Sequence, residues 1–288
     1  DAGAGTVIPY TTMLLPGTEI ASKEFREKYK MKSKFRILPR QFGDLRGSKC
    51  FEIEEVCVAT NTMSYEDYLD CRGLSFVAGL FASDQYDLIL QHLKELEIKP
   101  FDYYLHLWEL IKVDKTGIGL VYKSYIQETE DELWDSPEEI YEHFSKPKNY
   151  EALLKSILGD NLMRKYKTEV FLEHGPASFE FVYNAFETFS RKKIHSDYLE
   201  AMKAAKRWAI MTRAFAGLHS FQDKKECDQA LECSFDINSW YFCEDIDKSL
   251  MDFPGPASYK VVANFSKVQS ILEEGKRFYG EDLKYCLA

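Results

Sequence analysis

The strongest constraint on the fold of this chain is an uncharged run at residues 6–15, rich in β-branched side chains, that ends at Pro16-Gly17. Such a run is typical of a strand covered on both faces, as in the parallel sheet of an α/β protein. Proline removes a donor from the strand ladder and glycine permits a turn, so we expect the strand to end there. Residues 22–29 then predict an amphipathic helix.

Four stretches, in this order, carry a family resemblance: LLPGTE at 14–19, RILPRQFG at 36–43, FEIEEVCV at 51–58 and SYEDYLDCR at 64–72. They resemble the late part of radical S-adenosylmethionine enzymes of the cobalamin-binding group. In that group a late barrel strand ends in a Pro-Gly-Thr loop. The resemblance spans about a quarter of the chain.

The resemblance implies an α/β remnant in residues 1–60, the end of a partial TIM-like barrel. Residues 61–288 are expected to form a mainly α-helical C-terminal domain with a small β element. The implied activity is reductive cleavage of S-adenosylmethionine at a [4Fe-4S] cluster, and the resulting 5′-deoxyadenosyl radical abstracts hydrogen from an unidentified small-molecule substrate. Methyl transfer through cobalamin is one implied outcome. The chain would close the barrel and shape the substrate site, and would be inactive alone.

The cysteines depart from the pattern of that group, whose cluster is held by a Cys-x3-Cys-x2-Cys run. No two of the seven cysteines here are close enough for a Cys-x2-Cys chelate. They stand at positions 50, 57, 71, 227, 233, 243 and 286. We therefore expect no metal ligands in this chain. The resemblance implies that the cluster ligands and any cobalamin domain lie in a missing N-terminal part of the same polypeptide.

Thr18 and Glu19 follow the barrel-type strand at its C-terminal end, where barrel enzymes place their sites. By the resemblance they would bind cofactor through hydrogen bonds rather than perform the radical step. A plain loop is the alternative interpretation.

The acidic strand at residues 51–58 offers candidate substrate-binding residues, Glu54 and Glu55, with Arg40 as a third. Because neighbouring side chains of a strand point to opposite faces, at most two acids among Glu52, Glu54 and Glu55 could converge as acid and base. The alternative is a solvated face, or an edge that forms salt bridges with Arg36 or Arg40. The doubled acid also predicts a β-bulge.

Beyond residue 64 the hydrophobic period is helical, with Ser64 and Asp67 as a predicted cap. Ser136, Pro137 and Glu139 predict a second capped start, and Gly117-Ile118-Gly119 predicts a turn opening a helix. Residues 30–40 are interpreted as a solvated basic connector. The predicted helices are 86–96, 101–113, 118–128, 137–144, 150–158, 178–191, 196–218 and 267–279, and the late strands are 233–238 and 258–263.

Composition limits the function classes. The formal net charge of -10 argues against a nucleic-acid partner, since binding phosphates needs clustered Lys and Arg. The longest apolar stretches are shorter than the roughly 20 residues of a membrane span, so we expect no membrane partner and a cytoplasmic protein. An odd number of scattered cysteines predicts reduced thiols.

Two other functions stay open at this stage. One is a non-catalytic helical module that binds a partner protein through an aromatic groove and the acidic segment at residues 128–142. The other is a carboxylate-based hydrolase that uses Glu19 with Glu54 or Glu55.

Overall fold

The computed structural model describes residues 9–155, 157–213, 228–245 and 248–262. Within these ranges the chain is mostly helical and carries two small antiparallel sheets. The strands are β1 (Lys32–Leu45), β2 (Ser48–Ala59), β3 (Asp228–Phe235) and β4 (Pro254–Val262). The helices are α1 (Lys23–Tyr29), α2 (Tyr65–Phe81), α3 (Asp87–Glu95), α4 (Pro100–Val113), α5 (Gly117–Asp131), α6 (Pro137–Phe144), α7 (Pro147–Leu154), α8 (Leu162–Glu173), α9 (Gly175–Ser190), α10 (Ser196–Arg213) and α11 (Ile237–Tyr241). The mainly helical C-terminal part with a small β element is thus confirmed.

The described residues separate into two compact units. The first holds residues 9–76 and 123–165, and the second holds residues 77–122 and those from 166 onward. The predicted boundary between residues 60 and 61 does not coincide with this division. The reason is that α6 and α7 pack against the β1–β2 sheet and complete its core.

The first sheet is an antiparallel hairpin of β1 and β2. Its turn is Arg46-Gly47, with φ of 57° and 92°, and glycine adopts such a positive φ at little cost. The basic run at residues 30–40, interpreted as a connector, is therefore mostly strand. This correction has a simple cause: Phe35 and Ile37 alternate with basic residues, so one face of β1 packs on the core while the other carries charge.

The predicted bulge at Glu54-Glu55 is wrong. Glu54 pairs with Arg36 and Glu55 with Phe35 in regular register. The register instead shifts between Lys32 and Ser33 and again in the β1 segment between Ile37 and Phe42. That segment contains Pro39, which has no N–H to donate, and Arg40, whose φ is 63°.

The strand predicted at residues 6–15 is only partly within the described residues, since 6–8 lie outside them. From residue 9 onward the segment forms one antiparallel bridge, Met13 to Val56, rather than a strand. Leu14 is buried, but Met13 and Leu15 are 39% and 51% exposed. The expectation of a strand covered on both faces is wrong here, because the segment lies at the outer edge of β2 and only one face meets the core.

The core of the first unit joins the hairpin to the helices after it. Its buried members are Ile37, Phe51, Ile140, Phe144, Tyr150 and Leu153. Burial of side chains of this size supplies on the order of 2 kcal/mol each. The chain therefore needs residues far beyond position 60 to cover the sheet.

The second unit has a core rich in aromatic residues. Its largest fully buried side chains are Tyr86, Tyr103, Tyr183, Phe81, Phe179, Phe186, Leu80, Leu88 and Ile89. Helix α9 lies against both α4 and α10. Two buried tyrosine hydroxyls of this core are hydrogen-bonded: Tyr86 pairs with Ser178 at 2.5 Å, and Tyr103 donates to the carbonyl of Val182 at 2.6 Å.

Most helix predictions are confirmed, and α2 begins with the predicted Ser64–Asp67 box. The start of α7 at Pro147 corrects the prediction of a helix at residues 150–158. Helix α8 was not predicted, although Asn161 caps it. Residues 214–218 of the predicted 196–218 helix, residue 263 of the last predicted strand and the helix 267–279 lie outside the described residues. No described helix combines the length and the apolar character that crossing a bilayer requires.

Candidate functional site

An open pocket of about 470 Å³ lies where the Pro-Gly-Thr loop meets α1 and β2. It is lined by Leu14, Pro16, Gly17, Thr18, Ala21, Ser22, Arg26 and Glu55. The loop turns at Gly17, whose φ is 85°, and ends in a short 3-10 helix, Glu19–Ala21. Ser22 then caps α1 by accepting a hydrogen bond from the amide of Phe25.

Arg26 holds this pocket together. Its two terminal nitrogens lie 2.5 and 2.8 Å from the two carboxylate oxygens of Glu55, and its Nε donates to the carbonyl of Ala21 at 2.9 Å. One side chain therefore ties the loop and α1 to β2. A two-point pair of this kind fixes orientation as well as distance.

The carboxylate of Glu55 is held in its ionised form. Hydrogen bonds from Arg26 lower the pKa of Glu55, and a further hydrogen bond from the hydroxyl of Ser33 adds to the effect. The same pair raises the pKa of Arg26. Two nitrogens of Arg26 and the hydroxyl of Ser33 donate hydrogen bonds to this carboxylate, and its pKa is lowered, so it is a poor proton donor at neutral pH. Glu55 therefore holds Arg26 and the loop in position rather than serving as an acid.

Thr18 lies in the pocket and its hydroxyl donates to the carbonyl of Leu15 at 2.7 Å. That bond closes the loop and leaves the hydroxyl oxygen able to accept a hydrogen bond from a ligand. Glu19, the other predicted cofactor-binding residue, is exposed and is not among the residues that line the pocket. The structure thus brings Thr18 and Glu55 to one pocket and places Glu19 beside it.

Glu54 points to the opposite face of β2, as the strand period requires. It is 8% exposed and pairs with Nε of Arg36, whose Nη1 lies 2.6 Å from Oε1 of Glu132. Burial alone would lower the pKa of Arg36, but the charges of Glu132 and Glu54 raise it. Burial raises the pKa of Glu132, and Arg36 opposes that rise. The group is a buried ion triad.

Arg40 lies apart from the pocket and pairs with the buried Asp160 at 3.2 Å. Its amide donates to the carbonyl of Gly159 at 3.3 Å. The three predicted substrate-binding residues, Arg40, Glu54 and Glu55, therefore make three separate ion pairs. Of the two salt bridges that the sequence left as an alternative, the one with Arg36 is present, through Glu54, whereas Arg40 pairs with Asp160 instead of the acidic strand.

Sequence reasoning did not single out Arg26, the residue on which the pocket depends. Its signal was weak because Arg26 lies in an ordinary amphipathic helix, 29 residues before Glu55. The strand period showed that Glu54 and Glu55 lie on opposite faces, but neither the face toward the loop nor the partner of Glu55 followed from it.

The cysteines do not suit an iron–sulfur cluster in the part of the chain that the structure describes. Cys57 and Cys233 are buried, Cys71 is exposed, and each is a free thiol. Burial raises the pKa of Cys57, which disfavours the thiolate that iron requires. Among described residues the one set of three side chains with metal-binding donors close together contains no cysteine.

Three acids of the segment at residues 128–142 form salt bridges within the chain. Glu128 pairs with Lys165, Glu132 with Arg36, and Asp135 with Lys34. These three charges are therefore not available to a basic partner protein. Many of the described aromatic residues likewise lie in the cores, for example Tyr125, whose ring stacks on that of Phe76 with 4.5 Å between the ring centroids.

The chain matches no protein-family model and no curated protein sequence. The function therefore has to be argued from the residues and the pocket.

Proposed function

We propose that the chain is the C-terminal part of a radical S-adenosylmethionine enzyme of the cobalamin-binding group, acting in the cytoplasm. In this proposal residues 9–60 are the end of a partial barrel. The pocket of the Pro-Gly-Thr loop helps to hold S-adenosylmethionine or substrate during 5′-deoxyadenosyl-radical chemistry. The observation that supports it most is that Thr18, from the loop that resembles the family, and Glu55, from the acidic strand that resembles it, line one pocket.

The chain's own residues would bind and orient. The hydroxyl oxygen of Thr18 can accept a hydrogen bond, and Arg26 with Glu55 holds the loop in place. The [4Fe-4S] cluster, and cobalamin where it is used, supply the electron transfer and methyl-carrier chemistry when bound. Because the described cysteines do not fit the cluster, its three thiolates would come from a segment that precedes Asp1.

The two other functions receive less support. A hydrolase would need Glu54 or Glu55 as a free base, but Arg36 engages Glu54 and Arg26 engages Glu55. A partner-binding module would need the acidic segment unpaired, and three of its acids are paired internally.

The test begins with the genomic sequence upstream of Asp1. We expect it to encode Cys-x3-Cys-x2-Cys within a series of βα units, and an upstream reading frame without that motif would refute the proposal. The reconstituted full polypeptide should then form 5′-deoxyadenosine from S-adenosylmethionine under anaerobic reduction.

Variants of the full polypeptide test the pocket itself. Thr18→Val keeps the shape of the side chain but removes its hydroxyl, and we expect the rate of 5′-deoxyadenosine formation to fall by about tenfold, the effect of one lost hydrogen bond of about 1.4 kcal/mol. The matched control is Thr62→Val, an exposed threonine outside the pocket. Equal rates in Thr18→Val and the control would exclude the pocket from the site.

A further inference from the structure

Two glutamates and a histidine meet at the corner between α8 and α9. Glu169 and Glu173 lie one turn apart at the end of α8, and His174 is the single residue that joins α8 to α9. One donor atom from each side chain lies within 4.8 Å of the other two. From this cluster we propose a binding site for one divalent first-row transition-metal cation, independent of the proposed radical chemistry.

The charges at this helix end favour a cation. Glutamates four residues apart repel each other, and the C-terminal end of a helix carries partial negative charge that disfavours anions. Glu173 is the last residue of α8, and the last turn of α8 contains no basic residue. A cation bound there would lie beside the carboxylates of Glu169 and Glu173 and the negative end of α8.

The imidazole of His174 lies in the space that the missing side chain of Gly117 leaves open. A Cβ atom added at Gly117 would lie 2.8 Å from both Cε1 and Nδ1 of the ring. Any side chain larger than hydrogen at residue 117 would therefore displace the ring. This contact explains the first glycine of the Gly117-Ile118-Gly119 motif, and it restricts the ring that supplies the nitrogen donor.

The donor set indicates the class of cation. One imidazole nitrogen and two carboxylate oxygens suit Zn²⁺, Fe²⁺ or Co²⁺ better than Ca²⁺ or Mg²⁺, which prefer oxygen ligands alone. Three protein ligands leave at least one coordination position for water. Because Glu173 is exposed, the cation has a path from solvent.

The probe is Co²⁺, added to the chelator-treated chain and followed by calorimetry and visible absorption. We expect one Co²⁺ per chain, visible bands typical of nitrogen and oxygen ligands, and no thiolate charge-transfer band. The absence of that band separates this site from binding by cysteines. Bound Co²⁺ should also raise the melting temperature, because it binds the folded state.

Two conservative variants remove ligands without disturbing the core. Glu173→Gln and His174→Asn should each weaken Co²⁺ binding by about tenfold or more. In the absence of metal, Glu173→Gln should leave the melting temperature unchanged or raise it, since it relieves repulsion between the glutamates. This second measurement shows that weaker binding is not a failure to fold.

The matched control is Glu138→Gln on α6. Glu138 and Glu142 are also exposed glutamates four residues apart in a helix, but α6 brings no histidine into a three-donor group with them. The control should bind Co²⁺ like the unmodified chain. Undiminished affinity in Glu173→Gln and His174→Asn, thiolate bands on Co²⁺ addition, or no saturable binding would each overturn the proposal.

Discussion

The Nδ1 atom of His92 lies 2.8 Å from the hydroxyl oxygen of Tyr198, and His92 has no exposed surface. Burial lowers the pKa of His92 to about 3, so its ring is neutral in the folded chain. Tyr198 also contacts Glu95, whose pKa burial raises. The ring of Trp240 lies 4.9 Å from the ring of His92, which gives the site an optical reporter.

This burial makes the second unit sensitive to acid. The unfolded chain binds a proton at the ordinary histidine pKa of about 6.5, and the folded chain does not until about pH 3, so stability is lost as pH falls below 6.5. Between pH 7 and pH 5 we expect His92 to reduce the free energy of unfolding by about 2 kcal/mol. Urea unfolding followed by tryptophan fluorescence measures it.

The variant His92→Phe isolates this effect, because the variant keeps Glu95, whose raised pKa acts in the opposite direction by adding stability as pH falls. We expect His92→Phe to lose most of the difference between pH 7 and pH 5. The same pH dependence in both proteins would contradict the assignment to His92.

The Arg26–Glu55 pair should depend on the two-point geometry. Arg26→Lys keeps the charge but removes the guanidinium group that makes two parallel hydrogen bonds to the carboxylate. We expect the free energy of unfolding of the first unit to fall by about 1 kcal/mol. The control is Lys23→Gln, which breaks an exposed pair of 3.8 Å with Glu27 and should cost at most about 0.5 kcal/mol. Chemical denaturation measures the free energy of unfolding of both variants, and equal losses of stability would argue against a special role of Arg26.

The buried triad should respond unequally to the loss of its members. Arg36→Met leaves two buried carboxylates without their cation, and we expect a cost of about 3–5 kcal/mol. Glu132→Gln removes one of two negative charges around one positive charge, while Glu54 still pairs with Arg36, so its cost should be about 1 kcal/mol. Thermal unfolding compares the two, and a larger cost for Glu132→Gln would be inconsistent with this charge balance.

Two glycines provide a steric comparison. A Cβ atom at Gly119 would lie 2.3 Å from the carbonyl oxygen of Asp114, a backbone atom that cannot move away cheaply. We expect Gly119→Ala to destabilise the chain by about 2 kcal/mol or more. At Gly43 no atom lies within 4 Å of the added Cβ, so Gly43→Ala should be neutral within about 0.5 kcal/mol. Melting temperatures of the two alanine variants give the result.

The sequence predicted the features that depend on neighbouring residues, namely helix caps and the faces of a strand. Ser22, Ser64 and Ser136 were recognised as helix starts, and each accepts a hydrogen bond from the amide three residues later. The opposite directions of Glu54 and Glu55 also followed from the strand period alone. These features depend on residues within one or two turns of each other.

Features that depend on distant residues were missed or misjudged. β1 is a strand because helices from residue 137 onward cover its apolar face, and its charges are paired by Glu132 and Asp135, about 100 positions away. The run at residues 9–15 looked doubly buried because its composition is apolar. The exposure of this run depends on which strands lie beside it, and its hydrophobic pattern contains no information about those neighbours.

Both outer edges of the first sheet pair with other segments of the same chain. Beyond β2, Leu14 donates to the carbonyl of Glu55 at 2.8 Å, and beyond β1, Trp134 and Phe35 exchange two backbone hydrogen bonds of 2.8 and 2.9 Å. A hairpin with open sides offers free amides to strands of other molecules, which is a common route to aggregation. Here a short piece of the same polypeptide pairs with each side at one point, so strands of neighbouring copies cannot pair with the hairpin at those two points.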